Sequence, residues 1–334
     1  MNSASASQQS ARHTKWIAAP AAAVFTLFLL IPVQMKVHPA MLLAERWMPG
    51  LGWLQIALLS AYAGWLASRL LDPGQVARTR RIVWTIFSTW FFTQLILGVL
   101  GVPHMLMTGT LHLPIPAVVI AGPVYHGHFF MPILFLITVV LVGPTWCSYL
   151  CYLGAWDANF AATKPRPTKE IADHSPWRLA NLVLIVLVAW VLRVAGVGWI
   201  WATILGLVFG LAGIVVMIVL SRRTGIMTHC VWFCPLGLAA SVLGKLSPHR
   251  IRIADSCTEC MVCSTSCRYD ALRPEHIRAR KPGLSCTLCG DCLAACPHNS
   301  IEYRFAGIRA SWSRPLFIVM IAGIQAVFLG LARI

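Results

Sequence analysis

Acidic residues are scarce in this chain. Asp and Glu together number 11 among 334 residues, and charged residues of both signs make up only 11%. A soluble domain carries about 25%. With 58% hydrophobic residues, the composition excludes a soluble globule and points to an integral membrane protein. Other absences narrow the chemistry. No C-x-x-C-H occurs, so attached c-type haem is not expected. No G-x-G-x-x-G follows a strand pattern, so no Rossmann site for NAD or FAD is expected. Haem b, which pairs of membrane histidines can ligate, stays open.

Apolar runs of about 20 residues can cross a bilayer. They fall at 16–35, 51–71, 82–102, 129–146, 178–195, 198–220 and 315–332. The fold class expected is an all-α polytopic membrane protein with seven transmembrane helices and a small α+β ferredoxin-like domain. Residues 1–15 are Ser-, Ala- and Gln-rich and read as a disordered tail. A signal peptide, with Arg12 and Lys15 as its basic n-region, competes for residues 1–35. The apolar run is longer than a usual h-region, and no clean small-x-small cleavage site follows it. An uncleaved first helix is therefore expected.

The net charge of +16 raises the question of nucleic acid. The placement of Lys and Arg gives a simpler answer. Arg12, Lys15, Arg69, Arg78, Arg80 and Arg81 fall in the N-terminus and the 68–81 loop. Lys164, Arg166, Lys169 and Arg178 fall in the 147–178 loop, and the 221–314 segment is basic too. Of the 27 basic residues only Lys36, Arg46, Arg193 and Arg333 fall on the other side. Cytoplasmic loops carry such an excess. The expected location is the inner membrane of a bacterium, with the N-terminus and the cysteine-rich segment cytoplasmic and the C-terminus periplasmic. No nucleic-acid partner is expected.

The chain holds 12 cysteines. Eight lie in two runs, Cys257–Cys267 and Cys286–Cys296, each spaced C-x2-C-x2-C-x3-C. This is the ligand pattern of a two-cluster bacterial ferredoxin, in which the fourth cysteine of each run serves the other cluster. The spacing therefore predicts one [4Fe–4S] on Cys257, Cys260, Cys263 and Cys296, and a second on Cys286, Cys289, Cys292 and Cys267. Zinc knuckles use longer spacers, and disulfides need an oxidising compartment. Pro297 follows the second run as the pattern expects, whereas Arg268 stands at that place in the first. This puts the local turn there in question.

The remaining cysteines form two C-x3-C pairs, Cys147/Cys151 and Cys230/Cys234, in the related stretches WCSYLCYLGAWD and HCVWFCPLGLAAS. On a helix, residues i and i+4 share a face. Each pair is expected to present two sulfurs together where a helix reaches the cytoplasmic interface. Four converging thiols suit a metal, a further iron–sulfur cluster or a dithiol/disulfide couple. The alternative is that each is a small buried hydrophobe; duplication of the motif argues against it.

The domain reading is a tail at 1–15, a transmembrane domain at 16–220 with the first C-x3-C motif, and the second motif at 221–250. The ferredoxin domain follows at 251–310, and a last transmembrane helix at 311–334. The polar 157–177 stretch reads as a loop. Paired C-x3-C(P) motifs followed by tandem cluster motifs resemble the NapH/NosR-type membrane-bound polyferredoxins. The resemblance covers roughly residues 82–300 and rests on all 12 cysteines. It implies electron transfer from the quinone pool toward a periplasmic nitrate or nitrous oxide reductase, or support of metalloenzyme maturation. The first pair departs from the family, with Tyr152 where the motif has Pro. No stretch is long enough for the periplasmic flavin-binding domain of the NosR type, so a compact NapH-like component is expected.

Residues 103–128 form the expected outward loop and gather His104, His112, His126 and His128 with Met105 and Met107. Histidine titrates near neutral pH and suits proton release from a quinol; with methionine it also suits copper. The plain alternative is an interfacial loop, partly re-entrant at Leu113–Pro116 and Gly122–Pro123. Tyr125, His126 and His128 are the candidate quinol contacts. Three functions compete. The first is a quinol dehydrogenase component, passing electrons to a redox partner such as a ferredoxin-type subunit, a cytochrome or a periplasmic reductase. The second is a maturation or copper-handling factor using the C-x3-C thiols. The third is a structural anchor for a redox complex. A cytoplasmic cluster domain cannot itself touch a periplasmic acceptor. Either further carriers cross the bilayer or the clusters exchange with a cytoplasmic partner.

Overall fold

The computed structural model describes residues 3–38, 40–105, 115–168 and 175–331. Among these, seven helices are long and apolar enough to cross a membrane: Trp16–Lys36, Leu51–Leu70, Pro73–Val99, Phe130–Leu150, Pro176–Val194, Trp199–Thr224 and Ala310–Gly330. They correspond to the seven apolar runs. The third begins earlier than its apolar run, at Pro73. Asp72 caps it, accepting the Gly74 N–H on its carboxylate at 3.0 Å, and Pro73 takes the first helical position, where a missing N–H costs nothing. Arg78, Arg80 and Arg81 therefore ride on helical turns rather than on a loop.

Residues 3–15, expected as a disordered tail, continue the first helix from Ser3. Neither glycine nor proline occurs between Ser3 and Ala19 to break it. The expected outward loop contains the helix Ile115–Tyr125, whose run IPAVVIAGPVY has no polar residue until its last position. The expected 157–177 loop begins instead inside the helix Tyr152–Ala162.

The chain divides into two units, residues 1–111 with 303–334, and residues 112–302. In the first, Ser3–Lys36, Leu51–Leu70 and Ala310–Gly330 pack on one another. Leu30, Leu42, Ile56 and Leu59 form its core, with Leu27, Val327 and Leu329 against them. Gln55 ties the ends together: its amide N–H donates to the Gly330 carbonyl at 2.7 Å, and its oxygen accepts the Ala44 N–H at 2.8 Å. A polar side chain in an apolar bundle is tolerable only when so paired.

The second unit holds three of the spans and the cysteine-rich segment. Pro176–Val194 and Trp199–Thr224 leave apolar flanks uncovered, among them Leu187, Trp190, Val208 and Leu211. Water would penalise such a surface and lipid would not. The cysteine-rich segment opens on the strand β1 (His249–Ile253), which pairs with β2 (Ile301–Phe305) in a two-stranded sheet. Between the strands the chain has little regular structure: the one-turn helices Val262–Ser266, Pro274–Arg278 and Asp291–Ala295.

Candidate iron–sulfur sites

The two ferredoxin runs repeat in backbone as well as in sequence. Left-handed φ angles recur at Glu259 and Leu288 (57° and 55°), at Met261 and Gly290 (60° and 85°), and at Asp270 and Asn299 (52° and 51°). Each pair holds the same place relative to its cysteines. A non-glycine residue in this region costs of order 1 kcal/mol or more and persists only where its surroundings fix it. Two further features repeat. Cys267 Sγ accepts the Ala271 N–H at 3.3 Å, and Cys296 Sγ accepts the Ser300 N–H at 3.3 Å. Such N–H donors stabilise thiolate and set cluster potential.

The fourth cysteine of each run lies with the other run's first three. The Cys263 thiol is pushed up to about 11, first by burial and then by Cys296, Cys257 and Cys260. The Cys292 thiol is pushed up by burial and by Cys289, Cys267 and Cys286. Cys267, Cys286, Cys289 and Cys292 also line one apolar cavity with Ile251, Tyr269, Leu272 and Pro282. Buried thiols crowded this way resist ionisation unless a metal supplies positive charge. Among the described residues, no three or more His, Cys, Asp or Glu side chains are arranged to hold a single metal ion. A cubane, taking a thiolate at each of four iron corners, asks for a wider arrangement than one ion does.

Arg268, in the place of the usual proline, leaves the turn unaltered. Cys267 has φ −82° and ψ 97°, and Cys296, before Pro297, has φ −82° and ψ 109°. The guanidinium instead donates to the carbonyls of Ala161 at 2.7 Å, Gly225 at 2.9 Å and Lys164 at 3.1 Å. It thus pins the first cluster run to the ends of two helices.

The C-x3-C pairs differ from the simple helical reading. Cys147 and Cys230 lie in wide π-turns, Trp146–Leu150 and His229–Phe233. Each turn closes with a bond five residues back: Cys151 N–H to the Trp146 carbonyl at 2.9 Å, and Cys234 N–H to the His229 carbonyl at 2.7 Å. Cys151 and Cys234 then leave the helix in extended conformation and cap the next one. Single π-turns inside helices are frequent at functional sites. The shared C-x-L-G now has a physical meaning. The N–H groups of Leu153 and Gly154 favour the Cys151 thiolate, and those of Leu236 and Gly237 the Cys234 thiolate. Tyr152 in place of proline changes nothing in the backbone: ψ is 115° at Cys151 and 116° at Cys234. At Gly237 a Cβ would sit 2.6 Å from the Cys230 carbonyl oxygen, so only glycine fits.

The two C-x3-C turns lie close enough for their thiols to act on one another. Burial pushes the Cys230 thiol up, followed by Asp157 and by Cys151, Cys234 and Cys147. Asp157, wholly buried on the helix that Cys151 caps, accepts the Cys230 N–H at 3.0 Å and is raised to about 6 by its burial. Arg178 lies on the opposite side of the charge balance, easing ionisation of Cys234. Sequence reasoning passed over Asp157, read Arg178 only as loop charge, and saw Arg268 only as a departure from the proline pattern. The available signal was charge in apolar or motif-bound positions, in a chain with few acidic residues.

The first C-x3-C turn also touches the second ferredoxin site. The Tyr269 hydroxyl donates to the Cys147 carbonyl at 3.0 Å, and the Tyr149 hydroxyl to the Cys289 carbonyl at 3.2 Å. Ser148 Oγ donates to the Thr287 carbonyl at 3.1 Å. Gly143, with φ 73°, lies so close to Leu288 that a Cβ would sit 2.8 Å from its Cδ1. Gly143→Ala is expected to displace Leu288, between Cys286 and Cys289, and to alter one of two cluster EPR signals. An unchanged pair of signals would count against this packing.

Tyr125, His126 and His128 cluster together. The Tyr125 and His126 rings are 4.3 Å apart, and those of His126 and His128 5.8 Å. The Tyr125 hydroxyl donates to the Val197 carbonyl at 2.6 Å, while His126 and His128 are exposed. The His104 ring lies 5.2 Å from that of Trp47, tilted by 30°. His112 and Met107 lie outside the described residues.

The cysteine runs and the apolar spans define a multi-pass membrane iron–sulfur protein of the polyferredoxin class. A family described as "4Fe-4S dicluster domain" matches residues 249–305, and one described as "4Fe-4S binding domain" matches 124–161 and 197–254. The latter segments contain the four C-x3-C cysteines and none of the ferredoxin eight. "Ferredoxin-type protein NapH" of Haemophilus influenzae is 25% identical over 194 residues, 51% of this chain and 66% of that protein. An uncharacterized protein of Methanocaldococcus jannaschii is 20% identical over 190 residues, 52% of this chain and 77% of that protein. The chain thus spans about two thirds to three quarters of the curated relatives it matches. No solved structure matches it. Together these findings support a polyferredoxin of the NapH type, an iron–sulfur electron-transfer protein.

Proposed function

We propose that this protein takes electrons from membrane quinol and passes them to a redox partner, through two [4Fe–4S] sites. Cys257, Cys260, Cys263 and Cys296 hold one, and Cys267, Cys286, Cys289 and Cys292 the other. A bound cluster accepts and releases one electron at a time. The observation that carries this reading is the crossed grouping: each run's fourth cysteine lies with the other run's first three. A quinol gives up two electrons and two protons, so two one-electron sites match one quinol. The exposed imidazoles of His126 and His128, held at the end of the helix Ile115–Tyr125, are the candidate proton acceptors. Tyr125 braces them through its bond to Val197. The excess of Lys and Arg supports an inner-membrane orientation with the cluster segment cytoplasmic and the C-terminus periplasmic. The acceptor is then a separate protein, as the Haemophilus relative's description as a ferredoxin-type protein suggests.

In anaerobically purified protein, stoichiometric menaquinol or ubiquinol should bleach the visible absorbance and generate reduced-cluster EPR signals. The His126→Ala/His128→Ala variant should slow this at least tenfold while dithionite still reduces both sites. Reduction by dithionite with no response to either quinol would end the quinol reading while leaving the iron–sulfur one.

A further inference from the structure

We infer that the turn Thr258–Cys260 of the first ferredoxin run is the docking point for a soluble one-electron carrier protein whose redox centre is ringed by positive charge. This rests on the two-cluster reading of the ferredoxin segment and names the surface through which it meets its redox partner.

The two runs hold the same turn in opposite surroundings. Thr258, Glu259 and Cys260 match Thr287, Leu288 and Cys289 position for position, and Glu259 and Leu288 share a left-handed backbone, with φ 57° and 55°. In the second run the chain covers this turn itself. Thr287 and Leu288 are only 5% and 4% exposed. Ser148 and Tyr149 donate to the carbonyls of Thr287 and Cys289, and Leu288 packs against Gly143. In the first run Thr258, Glu259 and Cys260 are all exposed, and so is Val262 beside them. Of the 12 cysteines, all of them described, only Cys260 is exposed. Electron exchange between proteins falls steeply with the distance between their centres, so a partner is best served at the cluster edge that solvent reaches. A turn carrying leucine closes by packing. An open turn carrying glutamate suits the small, polar interface of a transient redox encounter.

Charge selects the carrier. Asp255 and Glu259 are exposed, and no Lys or Arg falls among residues 254–267, in a chain of net charge +16. Arg280 lies 3.5 Å from Glu259 and offsets it in part, while also donating to the Cys257 carbonyl at 3.1 Å. Four thiolates around a cluster core leave the site itself negative. A basic carrier is therefore drawn to this spot and repelled by the basic remainder, which turns its redox centre toward Cys260. In the transfer, the cluster on Cys257, Cys260, Cys263 and Cys296 loses one electron and the carrier's centre gains it. No bond forms or breaks, and no proton moves.

The test uses full-length protein purified without oxygen, reduced with dithionite and freed of the excess. The probes are cytochrome c, a basic one-electron acceptor, and the same cytochrome made acidic by succinylation of its lysines. At low salt, cytochrome c should be reduced roughly tenfold faster than the succinylated form, and the difference should fade as salt screens it. Asp255→Lys/Glu259→Lys should reverse the preference. Thr258→Trp, which adds bulk without charge, should slow both reactions roughly tenfold, since even the steered encounter needs the open turn. Both variants should keep the iron content and EPR signals of the wild-type protein. Equal rates for the two cytochromes with the wild-type protein would overturn the inference, as would an unchanged rate in Thr258→Trp. Clusters that ignore quinol yet reduce cytochrome c with this charge preference would overturn the quinol reading alone. A protein with no reducible iron–sulfur signal would overturn both.

Discussion

Arg268→Ala is expected to loosen the cluster-bearing segment from the helix ends on which it sits. The side chain makes three bonds from one cation, to the carbonyls of Ala161, Lys164 and Gly225. Bonds from a charged donor contribute about 1.5–3 kcal/mol each. Lost together and non-additively, they amount to about 3–5 kcal/mol. The Met227 N–H still reaches the Arg268 carbonyl at 2.9 Å, so the loop stays threaded while its clamp is gone. Arg268→Lys should recover little, because one ammonium lacks the planar fork that spans three acceptors. Arg268→Pro is the sharper comparison. It restores the residue that the ferredoxin pattern expects, and Cys267 already has the backbone shape of Cys296 before Pro297. If the arginine served only the turn, proline would be harmless. With Arg268 as a clamp, both alanine and proline variants should lose cluster absorbance at markedly lower temperature. Equal thermal stability of the proline variant and the wild-type protein would remove the clamp.

The clamp also shows where the sequence was silent. The eight ferredoxin cysteines could be read from spacing alone, because ligand spacing is a local property of the chain. The seven spans were legible because bilayer thickness sets the length of an apolar run. Arg268 was visible only as a departure from a pattern. Its meaning depends on carbonyls about 40 and about 105 residues away, which no local rule reaches. The C-x3-C motif was half legible. Duplication marked it as a matched pair of motifs, but an i, i+4 helical pair was expected where π-turns occur. A π-turn differs from an α-turn by a single residue of bonding register, and composition does not report that difference. The second half of the helix Tyr152–Ala162 was read as the start of the 157–177 loop because the polar residues beyond it dominated the stretch. Asp157 looked like a loop acid, yet it is buried and holds the Cys230 N–H.

Cys292→Ser is expected to have the largest effect of any single substitution here, abolishing both ferredoxin sites rather than one. The segment between β1 and β2 has almost no regular structure to sustain it. Six of its non-glycine residues, Glu259, Met261, Asp270, Arg280, Leu288 and Asn299, adopt left-handed backbone. At 1–3 kcal/mol each, this strain totals roughly 6 kcal/mol or more. Two five-residue strands cannot offset it alone. Structural metal binding can contribute on the order of 10 kcal/mol to folding, enough to decide the balance. The crossed ligation then spreads the damage. In the ligation we propose, Cys267 and Cys296 each serve the site opposite their own run, so a collapse around Cys292 frees Cys267 and drags Val262–Ser266 with it. Its neighbour helix Asp291–Ala295 carries both Cys292 and the approach to Cys296. The variant should lose about eight irons, and protease should cut within residues 255–300 while the membrane spans survive intact. A variant that kept a normal signal from Cys257, Cys260, Cys263 and Cys296 would show that the two sites fold independently, and the strain argument would fail with it.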